Sequence, residues 1–125
     1  MTLKESTSAA RAENSLKLVS IDLMAEVARL KQIPRWTSED RHAASLVKMG
    51  ALNILLLTLK KDAELTEHRA CGPINVYVLV GSIRFTAGGD QLTLAAGSMV
   101  ALDRDIAHSV QALEETSLIV TTAIT

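Results

Sequence analysis

The chain has 125 residues, which is enough for one domain with a buried core and too few for a catalytic domain plus a separate regulatory one. Its 13 basic and 14 acidic residues nearly cancel, and Trp36, Tyr77 and Phe85 are its only aromatic side chains of the Phe, Trp and Tyr types. Both observations argue against a nucleic-acid partner, because the chain offers neither a positive field for a polyanion nor a stacking platform for bases.

Residues 1–17 are predicted to be a disordered tail. They are mostly small and polar, and they offer too little apolar surface to offset the entropy of ordering them. This segment contains no apolar run that could serve as a signal peptide or a membrane span, and Cys71 has no second cysteine to form an internal disulfide. We therefore expect a cytoplasmic protein without a membrane partner, in which residues 18–125 form one domain.

A short amphipathic helix is predicted over residues 22–32. Asp22 can cap its start, and Leu23, Val27 and Leu30 recur at helical spacing. Pro34 ends it, because the residue before a proline is disfavoured in helical conformation. The apolar stripe must be covered, either by the outer face of a sheet or by a partner subunit.

Nine short segments with the composition of strands follow Trp36, and Gly81 and the pair Gly88-Gly89 mark hairpin turns between some of them. Many short strands at close spacing are typical of an antiparallel sandwich or barrel. The segments are residues 44–49, 51–59, 64–70, 74–80, 82–87, 91–95, 98–102, 106–113 and 116–124.

Alternation along two of these segments predicts that His68 and His108 point into the barrel. Successive side chains of a strand face opposite sides, and the more apolar side of a barrel strand is usually its interior. The predicted sides are Thr66, His68 and Ala70 against Leu65, Glu67 and Arg69 in one segment, and Ile106, His108, Val110 and Ala112 as the inner set of the other.

The spacing of residues 62–81 and 97–112 resembles the two motifs of the cupin superfamily. His68 and Gly81 stand at the positions of a histidine and the closing glycine of the first motif, and Gly97 and His108 match a glycine and the histidine of the second. The departures are Asp62 for Gly, Ala70 for the second His, Ile74 or Asn75 for Glu, Asp103 for Pro, Asp105 for Gly and Ala112 for Asn.

The resemblance implies an all-β fold, an antiparallel β-barrel or jelly roll, with a short N-terminal helix. In this family the two motifs usually supply three histidines and one glutamate to a single divalent metal. Only His68 and His108 occupy those ligand positions here, so the resemblance implies a reduced ligand set.

Three interpretations of the histidine pair remain open. The rings could hold a divalent metal, Fe, Zn, Ni, Mn or Cu, although a stable protein site usually has three or more protein donors. They could instead bind the carboxylate or carbonyl of a small organic ligand, or only hydrogen-bond each other or a water. Nearby candidates for a third metal donor are Cys71, Asn75, Tyr77 and Gln111.

The leading hypothesis is a cupin-domain protein that binds a small molecule in the barrel, with a weak or absent metal site and no assigned catalytic residue. The alternatives are a metal-dependent dioxygenase or isomerase that uses both histidines, and a barrel that serves as a dimerisation scaffold. A homodimer is expected under each. The predicted ligand-binding residues are His68 and His108, the walls Ile74, Val76, Val78, Met99 and Val110, and Arg104 at the rim for an anionic group.

Overall fold

Two antiparallel sheets face each other in the computed structural model, which describes residues 18–124. One sheet has the strand order β1-β2-β9-β4-β7 and the other β3-β8-β5-β6. The elements are α1 (Leu23–Lys31), α2 (Arg35–Ser38), β1 (Arg41–Met49), β2 (Leu52–Leu59), β3 (Glu64–His68), β4 (Ile74–Val80), β5 (Ser82–Ala87), β6 (Asp90–Ala95), β7 (Met99–Leu102), β8 (His108–Ala112) and β9 (Thr116–Ala123).

The prediction of an antiparallel β-barrel or jelly roll with a short N-terminal helix is confirmed. Each of the nine predicted segments overlaps one of the nine strands in residues 18–124. The predicted tail, residues 1–17, lies outside the described residues. Within the described range, neither helix is long and apolar enough to cross a membrane.

The core lies between the two sheets, and alternation decides which side chains enter it. On β2, Leu57 and Leu59 face inward and are buried, while Leu56 faces the outer side of the same sheet. Leu57 is paired with Leu118 of β9, which is likewise buried in this core. The remaining buried members come from strands of both sheets and from the residue before β3: Ile74, Val76, Val78, Ile83, Phe85, Val110, Ala112 and Ala63.

Helix α1 packs on the outer face of the five-stranded sheet. The Asp22 carboxylate caps it by accepting a hydrogen bond from the Ala25 backbone nitrogen at 3.1 Å. Val27 and Leu30 are buried in a second cluster with Leu56 and Ile119 of the sheet. The apolar stripe is therefore covered by the outer face of a sheet of the same chain. Of the two predicted alternatives, this is the sheet and not a partner subunit.

A glycine closes one end of the barrel, where β4 turns into β5. Gly81 has a φ of +91°, a conformation that favours glycine, and a Cβ there would overlap the Glu115 backbone oxygen and Thr116. The Ser82 backbone nitrogen also donates to Thr116 Oγ1 at 3.2 Å. The two sheets thus approach closely at this end, which is opposite to the end that carries the histidines.

Candidate functional site

The structure brings the two predicted histidines together across neighbouring strands. His68 at the end of β3 is paired with His108 at the start of β8, and the ring centroids are 4.2 Å apart at an interplanar angle of 61°. His108 is 4% exposed and stacks on Phe85 of the core with a centroid distance of 5.8 Å, whereas His68 is exposed. The pair therefore reaches from the core to the mouth of the barrel.

Both imidazoles are oriented by a backbone carbonyl two residues earlier in the chain. His68 Nδ1 donates to the Thr66 oxygen and His108 Nδ1 donates to the Ile106 oxygen, each at 2.9 Å. A carbonyl oxygen can only accept, so Nδ1 must carry the hydrogen in each bond. In the neutral ring Nε2 then keeps its lone pair and can accept a hydrogen bond or bind a metal.

The Nε2 atom of the buried His108 is not sealed inside protein. Among residues 18–124, no fully buried side-chain nitrogen or oxygen lacks a hydrogen-bond partner, and no partner in this range is seen for this atom. It must therefore be accessible, and His108 lines the cavity described next. The pair thus presents acceptor nitrogens rather than N–H groups when both rings are neutral.

The cavity beside the histidines has a volume of about 480 Å³ and mostly aliphatic walls. Volumes of 300–1,000 Å³ with few polar groups are usual for small-molecule pockets. Its polar lining residues are His68, His108, Thr66, Thr122 and Arg41. The apolar lining residues are Leu55, Leu57, Leu65, Ala70, Ile74, Val76, Val110, Leu118 and Val120.

A β-bulge in β3 places Leu65 on the cavity, contrary to the predicted alternation. Leu65 is paired with Val110 and His68 with His108, so three steps along β3 match two along β8. Strict alternation would place Leu65 and His68 on opposite sides of the strand. The extra residue of the bulge brings Leu65 to the inner side as well. Thr66, His68 and Ala70 line the cavity as predicted.

The two loops that follow β3 and precede β8 are tied together at the mouth. Arg69 Nη1 donates to the Asp105 oxygen at 2.6 Å, and the Asp105 nitrogen donates to the Ala70 oxygen at 3.0 Å. Asp105 adopts a positive φ of 62°, which aspartate tolerates better than most residues. These bonds fix the loops that adjoin the strand ends carrying both imidazoles.

Arg41 is a cavity residue that the sequence prediction missed. It is paired with Leu59, so it shares the inner face of the five-stranded sheet. Its Nη2 donates to the Glu64 oxygen of β3 at 2.8 Å and bridges the two sheets, while its Nε donates to Asp40 Oδ1 at 2.9 Å. Hydrogen bonding to Arg41 lowers the pKa of Asp40, and the same bond raises the pKa of Arg41, so both groups are charged near neutral pH.

The predicted wall is partly corrected by the structure. Ile74, Val76 and Val110 line the cavity. Val78 faces inward but lies in the filled core beside Leu118, and it does not line the cavity.

Met99 and Arg104 lie away from the cavity. Met99 is paired with Tyr77 on the outer face and is 61% exposed, because the pairing of β7 with β4 turns it away from the interior. Arg104 is exposed in a turn where its backbone nitrogen donates to Asp103 Oδ1 at 2.8 Å. The cationic group on the cavity is therefore Arg41 rather than Arg104.

None of the four proposed third metal donors lines the cavity. Cys71 is exposed, and Asn75 and Tyr77 alternate with the inward Ile74 and Val76. Gln111 Oε1 accepts from Arg84 Nη1 at 3.0 Å. Across residues 18–124 no group of three or more His, Cys, Asp or Glu side chains could hold a metal ion.

The residues present therefore do not fit the four-ligand divalent metal that the motif resemblance implies. Each imidazole has the arrangement of a metal ligand, since a metal-binding histidine usually donates its other N–H to a carbonyl or carboxylate. Two protein donors are nevertheless fewer than a tightly held ion requires.

Comparison with known proteins identifies the fold. No protein-family model matches the sequence, and a search of curated proteins also found no match. A cupin-2 domain protein from Shewanella frigidimarina superposes with a TM-score of 0.67 at 16% identity, covering 82% of this chain and 93% of its own. A conserved Streptococcus pyogenes protein of unknown function gives a TM-score of 0.65 at 23% identity, covering 70% of this chain and 77% of the other.

A larger enzyme shares the same architecture. Salicylate 1,2-dioxygenase from Pseudoaminobacter salicylatoxidans superposes with a TM-score of 0.77 at 15% identity over 93% of this chain, which corresponds to 36% of the dioxygenase chain. The protein therefore has the cupin fold, as the spacing around His68 and His108 predicted. At these identities the similarity establishes the fold and not the activity.

Proposed function

We propose that this protein binds a small molecule inside its barrel, against the paired imidazoles, without a tightly held metal. The observation that carries the proposal is the cavity of about 480 Å³, which combines aliphatic walls with two imidazoles whose Nδ1 atoms are already bonded. A site of this kind buries the apolar body of a ligand and orients it by a few polar groups. The dioxygenase with the same fold was crystallised with gentisate, which supports a small-molecule role for such a barrel.

Binding of the neutral naphthalene dye prodan tests the proposal, because its fluorescence reports transfer into an apolar cavity. Ala70 is half-buried and lines the cavity, so Ala70→Phe should fill the mouth and abolish dye binding. Ala101 is exposed on β7 and serves as the matched control, for which Ala101→Phe should leave binding unchanged. Equal dye binding by both variants would show that the dye does not enter the barrel and would contradict the proposal.

The rival function is a metal-dependent cupin enzyme, of the dioxygenase or isomerase class, that uses His68 and His108 as ligands. It is favoured by one observation, namely that both Nδ1 atoms are bonded to carbonyls and both Nε2 atoms remain available. Metal analysis of protein purified without chelators separates the two functions. Near-stoichiometric metal that is lost in both His68→Ala and His108→Ala would support the rival, and metal-free protein that still binds prodan would support our proposal.

We further propose a cytoplasmic homodimer of a single domain, residues 18–125, with neither nucleic acid nor membrane as a partner. The near balance of charge supports the absence of a nucleic-acid partner. Val27 and Leu30 of helix α1 and Leu56 and Leu57 of β2 are already buried within one chain, so a dimer would use other surfaces. Light scattering at micromolar concentration should give twice the mass of one chain, and a monomer mass would contradict the dimer.

A further inference from the structure

The hydrogen-bonding character of His68 and His108 determines which ligand groups these imidazoles can bind. With Nδ1 donating to a carbonyl in both rings, each neutral imidazole offers a lone pair at Nε2. A lone pair repels a carboxylate or carbonyl oxygen and attracts an O–H or N–H group. The idea that the pair binds a carboxylate directly, which the sequence left open, is therefore the less favourable orientation for neutral rings.

The opposite polarity is found at Arg41. The guanidinium is a permanent cation and an obligate donor. Its Nη2 and Nε atoms are bonded to the Glu64 oxygen and to Asp40, whereas Nη1 has no hydrogen bond to any residue in the described range. The bond to Glu64 holds the guanidinium at the seam between β1 and β3, where the side chain lines the cavity.

The two polar ends are separated along β3. Arg41 is bonded to Glu64 at the start of this strand, and His68 is its last residue. Because β3 is bulged, the residues paired with Glu64 and His68 on β8, Gln111 and His108, are only three steps apart, which corresponds to about 10 Å. The wall between the ends is aliphatic, formed in part by Leu55, Leu65 and Val110.

From this arrangement we infer that the cavity selects an amphipathic monocarboxylate. Its carboxylate pairs with Arg41, its apolar and mainly aliphatic body lies along the wall, and a hydroxyl or N–H group at the far end donates to Nε2 of His68 or His108. This inference rests on the proposed function and adds the class of ligand and its orientation.

Three probes of one length separate the contributions. ω-Hydroxyoctanoate carries both end groups, octanoate lacks the donor, and α,ω-octanediol lacks the charge, with affinities measured by NMR titration. ω-Hydroxyoctanoate should bind most tightly. Arg41→Gln should weaken both acids about fivefold or more and leave the diol unchanged, since a charge-assisted hydrogen bond is lost. His68→Leu should weaken the two hydroxyl compounds and not octanoate.

Three further variants test whether the effect is specific to the Arg41 guanidinium. Arg104→Gln removes an exposed arginine that lies off the cavity, so it should change none of the three affinities. Asp40→Asn removes the carboxylate that competes for Arg41, so it should strengthen both acids. Arg41→Lys keeps the charge and should retain part of the preference for acids over the diol, which guards against a merely structural effect of Arg41→Gln.

Failure of this inference is distinguishable from failure of the proposed function. If wild-type protein binds the diol as well as the acids, or if Arg41→Gln weakens all three probes equally, the ligand class is wrong although the barrel still binds small molecules. If none of the three binds while prodan does, the ligand class is again wrong. If Ala70→Phe leaves prodan binding intact, the proposed function itself fails.

Discussion

The two ends of the barrel are built on the same strands and differ in what fills them. At the closed end, where β4 turns into β5, Leu59, Val78 and Ile83 are fully buried and meet across the sheets. At the open end the same inner faces carry His68, Ala70 and Thr122, and a cavity remains between them. The difference teaches that the two ends of one barrel differ in how completely their inward side chains fill the space between the sheets, without a change of fold.

Strand β2 shows this difference within one element. Leu55, Leu57 and Leu59 all face inward, yet only Leu55 and Leu57 line the cavity, while Leu59 lies in the filled core. Identical residues on one strand thus serve a cavity wall at one end and close packing at the other. This allows the comparison to be tested with matched substitutions.

The largest effect is expected from truncating the closed end. Leu59→Ala should lower the free energy of unfolding by about 2–5 kcal/mol, because a fully buried leucine leaves a cavity behind. Leu55→Ala, the matched change beside the existing cavity, should cost about 1 kcal/mol or less. Urea denaturation measures both, and equal losses would contradict the distinction between the two ends.

The histidine pair should show a smaller and asymmetric effect. His108 is buried and stacks on Phe85, so His108→Ala should lower the free energy of unfolding by about 1–3 kcal/mol. His68 is exposed, and His68→Ala should change it by less than about 0.5 kcal/mol. A large loss for His68→Ala in the same denaturation assay would show that the exposed ring is a structural element rather than a site residue.

The smallest effect concerns the pH dependence of the Asp40–Arg41 pair. Arg41 lowers the pKa of Asp40 below its ordinary value of about 3.9, so the folded protein favours the carboxylate. The stability that the pair contributes is therefore present above about pH 4 and is lost as the pH falls through the lowered folded pKa. Because Asp40 is exposed and Arg41 is partly exposed to solvent, this contribution should be below about 1 kcal/mol.

Denaturation of wild-type protein and Asp40→Asn across acidic and neutral pH measures this contribution. The two stability curves should differ above about pH 4 and converge in acid. Asp90→Asn, at an exposed aspartate on β6, is the control and should run parallel to wild type. A difference that grows in acid would contradict the sign.

Much of the fold and the centre of the site could be predicted because they depend on local patterns. Alternation and turn residues predicted nine strands, and the spacing around His68 and His108 predicted that the two segments belong to one barrel of cupin type. The helix was predicted with bounds close to those observed, since its cap at Asp22 is a local feature.

The features that were missed depend on long-range register. Arg41 precedes the segment predicted as the first strand, and only its pairing with Leu59 shows that it faces inward. Leu65 reaches the cavity through a bulge that alternation cannot indicate. Met99 is turned outward by its pairing with Tyr77, which comes from a distant part of the chain.

The central claim is that the open end presents two imidazole acceptors to a small molecule, and long-range proton–nitrogen NMR of the histidine rings tests it most directly. With neutral rings, His68 and His108 should be protonated at Nδ1, and adding α,ω-octanediol should shift both Nε2 resonances and leave those of His42, on β1, in place. Protonation at Nε2 in either ring, or Nε2 resonances that stay fixed while the diol binds, would contradict the account.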